Sequence, residues 1–265
     1  MRVVPSNHGW GWLVAGWQLF RASPGMWTMS VFTYWLLVAL VEQVRYIGPL
    51  VVAVSLPAFS VSFMAMCETV REGKPPRPAL LFAGFQRRPD TLLILGGLYL
   101  LCIVAVLAVS ALVDGGALFD WMLLGKQPPR EALENGRLLN ALLVAALVAT
   151  PVLTAFWFAP VLAAWDDMGA AKSLFFSFFG CWRNWRAFLV YGAALGAIGF
   201  TLTILIALAA AAAGGSLNTV RGMKLGATLV LLPTLFGSFY AAYRDIFPRT
   251  PSPAAPLAQS DSGAD

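Results

Sequence analysis

A chain of 265 residues with 59% hydrophobic and only 12% charged side chains cannot build a water-soluble surface, since soluble domains carry about 25% charged residues. The mean hydropathy of +0.73 points to lipid as the solvent. The formal net charge of +5 raises nucleic acid or anionic lipid as a partner, and its placement along the chain selects between them.

Residues 1–12 hold no continuous apolar core followed by a small-residue cleavage site, so no signal peptide is expected. Trp10, Leu13, Trp17 and Phe20 then fall on one face of a helix. That helix is expected to lie in the membrane interface. The first span, Met26–Val41, is the shortest. Glu42 and Arg45 follow three apart, placed to pair or to face water. The second span, Tyr46–Met66, carries Pro49 and Pro57.

A second aromatic segment, Ala79–Phe85, precedes Arg87, Arg88 and Pro89, and the third span is Leu92–Val113. The loop Asp114–Arg137 mixes acids and bases around Gln127-Pro128-Pro129. It is expected to form a short amphipathic or coil segment, too short for a core of its own. The fourth span, Leu138–Trp165, is long for one crossing, and Pro151 and Pro160 predict a kink or tilt. Asp166 and Asp167 follow. They read either as a divalent-ion pair or, through Asp167, as the N-cap of the next helix, and the cap is the expectation.

A third segment, Ser173–Phe179, leads into Trp182-Arg183-Asn184-Trp185. Leu174, Phe175, Phe178, Trp182 and Trp185 share a face; Lys172, Ser173, Ser177 and Asn184 lie largely away from it. The fifth span, Ala187–Ala213, holds Gly192, Gly196 and Gly199, spaced for close helix packing within the bundle or with a second copy. The sixth, Met223–Tyr243, contains Pro233 and Gly237. Residues 248–265, rich in Pro, Ala and Ser, are expected to be disordered.

Continuous spans of about 20 apolar residues are helices, because lipid offers no partner for backbone N–H and C=O groups. The expected fold is an all-α polytopic transmembrane bundle of six spans with interfacial amphipathic helices, forming one transmembrane domain over residues 1–247. The three aromatic segments, one before each odd-numbered span, read either as three hairpin repeats or as a shared interfacial role.

Of the eighteen Lys and Arg residues, twelve fall on the side of the termini and six on the other. The positive-inside bias therefore puts both termini in the cytoplasm. Charge placed this way reads as topology plus contact with anionic headgroups, not nucleic-acid binding. Trp10, Trp12, Trp17, Trp27, Trp165, Trp182 and Trp185 are expected to form an aromatic belt at that boundary.

Chemistry-bearing groups are sparse. His8 is the only histidine, read as a solvated or interfacial ring, so the usual metal cluster or Ser-His-Asp triad cannot be assembled. No P-loop or Gly-rich dinucleotide fingerprint occurs. Cys67, Cys102 and Cys181 lack C-x-x-C spacing and read as small core residues. The spans lack internal ionisable groups, which leaves proton coupling without a carrier. Their polar content is hydroxyl: Ser55, Ser60, Ser62, Thr150, Thr154, Thr201, Thr203, Thr234 and Ser238. No catalytic, cofactor or metal residues are expected.

Several motifs run through this framework. They are Gly11-Trp12-Leu13 with Gly16-Trp17-Gln18-Leu19-Phe20-Arg21, Pro24 and Trp27; Ile47-Gly48-Pro49; Pro57 with Phe59-Ser60; and Leu81-Phe82-Ala83-Gly84-Phe85. The C-terminal half adds Phe156-Trp157-Phe158-Ala159-Pro160, Leu162, Ser177 and Arg183-Asn184-Trp185. In these the chain resembles an uncharacterised family of bacterial six-span inner-membrane proteins. The resemblance covers most of residues 9–245 and implies a fold and a location, with no activity, substrate or catalytic residue.

The expected role is that of a non-enzymatic membrane component whose partners are membrane lipids, anionic ones included, or another membrane protein. Arg21, Arg87, Arg88, Arg183 and Arg186 would contact headgroup phosphates. The alternative is a passive or gated transporter with a polar stripe of Ser55, Ser62, Thr150, Thr154, Thr234 and Ser238. A membrane enzyme would have only Asp166 and Asp167 to draw on.

Overall fold

A computed structural model describes residues 1–45 and 47–248. Among these, all regular elements are helices, and six are long and apolar enough to span a bilayer. They form three hairpins. The first pairs α2 (Pro24–Glu42) with α3 (Ile47–Arg71). The second pairs α4 (Pro89–Asp114) with α7 (Arg137–Trp157) and its continuation α8 (Ala159–Trp165). The third pairs α10 (Trp185–Ala212) with α11 (Leu217–Ile246). Ahead of the hairpins stand α1 (His8–Ala22), a 3-10 helix η1 (Pro78–Gln86) and α9 (Ala170–Arg183). Tyr46 and the expected disordered tail, apart from Pro248, lie outside the described residues.

Local chemistry sets the helix ends. Pro24, Pro89 and Pro160 sit in the first turns of α2, α4 and α8, where a missing N–H costs nothing. Gly115 closes α4 in a left-handed conformation (φ 68°) that a side chain would strain. At the start of α11, Ser216 Oγ accepts from Thr219 N at 3.1 Å, a side-chain N-cap. The Asp114–Arg137 loop is more ordered than its composition predicts. It forms α5 (Ala117–Leu124) and α6 (Arg130–Glu134), with Leu118 buried against Leu107, Leu138 and Ala141. Asp114 accepts from Gly116 N and Leu118 N, which fixes the first turn of α5 to the end of α4.

Both described ends meet on one face, which we call the terminal face: Arg2 N donates to Ile246 O at 2.8 Å. Each of the three leading helices packs on the closing span of the hairpin before it, taken cyclically. Thus η1 packs on α3, α9 on α7 and α8, and α1 on α11. The contacts share a pattern. A Cβ on Gly84 would collide with the Ala58 carbonyl, and one on Gly16 with the Thr234 carbonyl and the Ser238 amide, so only glycine lets these backbones touch. Gly84 N also donates to Ser62 Oγ, four residues on from Ala58. At the third contact Ser177 takes the corresponding place. Its hydroxyl accepts from Phe158 N at 2.8 Å and donates to Thr154 O at 2.9 Å. The serine is thereby spliced into an i→i+4 step of the helix, which accounts for the break between α7 and α8 just ahead of Pro160.

One expectation about the leading helices is corrected: α1 does not lie flat in the interface. His8 meets Asp245 and Gly16 meets Gly237, so α1 runs antiparallel along α11 over about 12 Å of helix. Its buried face is Gly9, Trp12, Leu13, Gly16 and Phe20, while Trp10 and Trp17 point outward. In α9 the two expected faces are present: the small and polar residues Ser173, Ser177, Gly180 and Cys181, with Asn184 just beyond the helix, pack inward. Its aromatic residues Phe175, Phe179 and Trp182 face out. This is the inverse of a soluble amphipathic helix and fits a lipid surround.

The main core is aromatic and lies toward the terminal face. Phe63 stacks on Phe236 with centroids 4.2 Å apart, and Phe158 stacks on Phe239 at 5.4 Å. Of the six spans α10 is the least buried. Open space surrounds Gly192, Gly196 and Gly199, so this glycine series does not serve packing within the bundle.

Candidate functional site

Three of the residues singled out for headgroup contact gather at the terminal face: Arg87 follows η1, and Arg183 and Arg186 bracket the junction of α9 and α10. Arg21 does not join them, because it lies in the last turn of α1, about 20 Å along that helix from His8. All four are exposed. Arg186 lies over the Trp185 ring, 5.5 Å from its centroid, a cation–π contact that leaves its donors free. Exposed Trp182 (66%) and Trp185 (53%) flank these arginines. Lys172 sits 6.0 Å from the Phe176 ring on the same helix.

Arg88 behaves differently from the other four. Its guanidinium bonds to Asp167 and, at 3.0 Å, to Thr91 Oγ1. The Asp167 carboxylate holds the Arg88 pKa above its ordinary value. Arg88 and Asp167 are also the two non-glycine residues with positive φ among those described, 49° and 53°. The ion pair joins two strained turns, one at the start of α4 and one between α8 and α9.

Asp167 is therefore not the N-cap of α9. That place belongs to Gly169, without a side-chain cap. Asp166 turns elsewhere and accepts from the Tyr243 hydroxyl at 2.8 Å. The adjacent carboxylates serve different partners. His8 is likewise not a free ring: its Nδ1 lies 2.6 Å from Asp245 Oδ2, and Trp12 Nε1 donates to the same oxygen at 3.0 Å. These contacts pin the start of α1 to the end of α11.

The expected tryptophan belt divides in two. Trp10, Trp17, Trp182 and Trp185 are exposed, whereas Trp12 and Trp27 are buried and Trp165 is half-buried. Trp27 Nε1 donates to Leu19 O at 3.0 Å, closing the turn between α1 and α2. Asn184 is a residue whose role composition did not reveal. Buried at the α9–α10 junction, it accepts from Val4 N and donates to Arg2 O and Gly180 O. One amide thus clasps the amino-terminal segment to the third hairpin. The only sequence signal was an asparagine amid aromatic and basic neighbours.

The hydroxyls proposed for a polar path turn back on their own helices. Ser55 donates to Val52 O, Ser62 to Ala58 O and Thr150 to Ala146 O. Thr154 donates to Thr150 O and Pro151 O, Thr234 to Val230 O and Ser238 to Leu235 O. Cys67 and Cys181 are buried and Cys102 is half-buried, all as free thiols. Burial pushes the Cys181 thiol up to about 12.

No family model matches the sequence, and no solved structure matches it. A probable inner membrane protein of Burkholderia thailandensis is 39% identical over 250 residues, which are 92% of each chain. With six membrane-spanning helices and near full-length identity at that level, the chain belongs to the family of that inner-membrane protein.

Proposed function

We propose that this protein is a non-enzymatic inner-membrane component that engages anionic lipid headgroups through its terminal face, which lies in the cytoplasm. The observation that carries the reading is the outward aromatic surface of α9 and the start of α10, studded with free guanidinium groups at Arg183 and Arg186. Tryptophan rings set the depth at the headgroup boundary, and arginines within reach of phosphates each contribute about 1 kcal/mol. Arg87 extends the basic surface. Arg88 is held by Asp167 and adds less. The cytoplasmic orientation rests on the twelve-to-six division of basic residues.

The test is native mass spectrometry and vesicle binding with Arg87, Arg183 and Arg186 replaced by Gln. Anionic-lipid retention should fall, and the residual binding should lose its salt sensitivity. Retention equal to wild type would remove the reading, and co-release of a membrane protein from the wild type alone would shift it toward a protein partner. A passive solute path is the other reading. The six hydroxyls bonded to their own helices weigh against it, and solute flux into proteoliposomes would restore it.

A further inference from the structure

Where the three hairpins diverge, the bundle leaves an open cleft of about 410 Å³, within the size range of small-molecule sites. Its wall includes Ser60 of α3, Tyr99 of α4, Phe156 and Trp157 of α7, Tyr191 of α10 and Phe236 of α11. Tyr99 stands about 15 Å along α4 from Pro89, and Tyr191 about 9 Å along α10 from Trp185. The cavity therefore lies within a hydrocarbon core about 30 Å thick. No charged side chain lines it. Water is a poor occupant of such a cleft, and its apolar walls gain dispersion contacts from a hydrocarbon chain seated in it.

The polar groups of the wall narrow the occupant further. Ser60 donates to Pro57 O at 2.8 Å, and Tyr191 shares a hydrogen bond with Ser238 at 2.8 Å. The buried indole N–H of Trp157 has no acceptor among the described residues, its ring lying in T-shaped contact with Phe188 and Phe239. Tyr99 is a second donor without a partner. Its ring packs edge-on to Phe156 at 5.3 Å, and its hydroxyl meets no hydrogen-bond partner among the described residues. An unpaired hydroxyl at this depth is costly.

We propose that the cavity binds an uncharged lipid, a molecule with a hydrocarbon chain and one carbonyl, ester or hydroxyl oxygen that pairs with the Tyr99 hydroxyl. A plain acyl chain would leave Tyr99 unpaired. An ionised headgroup would find no counter-charge. A partner's transmembrane helix would bring carbonyls already committed to its own ladder. This site shares no residue with the basic surface above and stands or falls apart from it.

The experiment uses the full-length, delipidated protein in detergent and dibrominated methyl stearate as the probe. Bromine quenches nearby indoles, and the Trp157 contribution is isolated by difference from Trp157→Phe. Saturable quenching is expected in the wild type. Tyr99→Phe, which removes only the hydroxyl oxygen, should weaken it about fivefold to tenfold. Ser60→Phe, which fills the cavity, should abolish it. Equal affinity in Tyr99→Phe and wild type would overturn the proposal. So would equally tight binding of ionised dibromostearate to the wild type, a result that depends on no variant folding.

Discussion

The contacts made by the leading helices and the outer flank of α10 are built on different rules. At the former, helices touch backbone to backbone at Gly9, Gly16 and Gly84, and hydroxyls bond between helices, as at Ser62 and Ser177. On α10 the glycines Gly192, Gly196 and Gly199 face open space. Thr203 of α10, like Thr150 and Thr228, bonds only to a carbonyl of its own helix. Lipid tails are as apolar as leucine, so apolar contact alone gives helices little reason to associate in a bilayer. Association concentrates where close approach and shared hydrogen bonds are available, and the hairpins spread apart where they are not.

The sharpest way to break this contrast is a bulky residue at a glycine of each kind. Gly16→Leu would drive a side chain into the backbone of α11, so detergent-solubilised protein should unfold at much lower temperature or fail to assemble. Overpacking of this kind costs about 3 kcal/mol or more where neither backbone can yield. Gly196→Leu, in open space, should leave the unfolding temperature unchanged or slightly raised by better helix propensity. Equal losses at the two sites would erase the distinction.

Ser177→Ala comes next. It strands the Phe158 amide and the Thr154 carbonyl at a buried helix break, for a loss of about 1–3 kcal/mol. Thr150→Val and Thr203→Val each give up one bond to the same helix and should stay within about 0.5 kcal/mol. Chemical denaturation in mixed micelles would rank all three.

At the Arg88–Asp167 pair the sign depends on the substitution. Asp167→Ala loses the carboxylate and keeps the left-handed backbone, whereas Asp167→Gly loses the carboxylate and relieves the strain. The alanine variant should therefore be the less stable by about 1 kcal/mol. The reverse order would show that the positive φ carries no strain.

The smallest effect concerns thiol reactivity. The thiolate is the reactive form, and raising the Cys181 pKa to about 12 leaves almost none of it at neutral pH. Cys181 should resist maleimide in the folded protein from pH 7 to 9 and label fully once denatured. Rapid labelling of the folded form would mean that α9 opens from α7 and α8.

The spans were legible because bilayer thickness imposes a length on apolar runs, and the kink in the fourth because two prolines lie within it. The docking of α1 was not. A search for an apolar face grouped Trp10 and Trp17 with Leu13 and Phe20, whereas the inward face is marked by Gly9 and Gly16, one heptad apart. In lipid the small residue, not the large one, marks the protein side. Asp167 misled for a related reason: its spacing suits a cap, but the left-handed turn carries its carboxylate toward Arg88, and backbone conformation is not written in spacing. The pairing of His8 with Asp245 joins residues at opposite ends of the chain, beyond the reach of any local pattern.

The cyclic packing of leading helices has a consequence for how the protein is made. Each of η1 and α9 finds its berth on a span that has already left the ribosome. The berth of α1 is α11, nearly two hundred residues away in sequence. The first helix synthesised is thus the last to be seated. Until Leu217–Ile246 enters the membrane, Gly9, Gly16 and Trp12 must wait at the surface, a vacancy that an insertase or chaperone would have to shield. Ring closure is then a checkpoint on completeness, because a chain truncated before α11 leaves its own beginning unplaced.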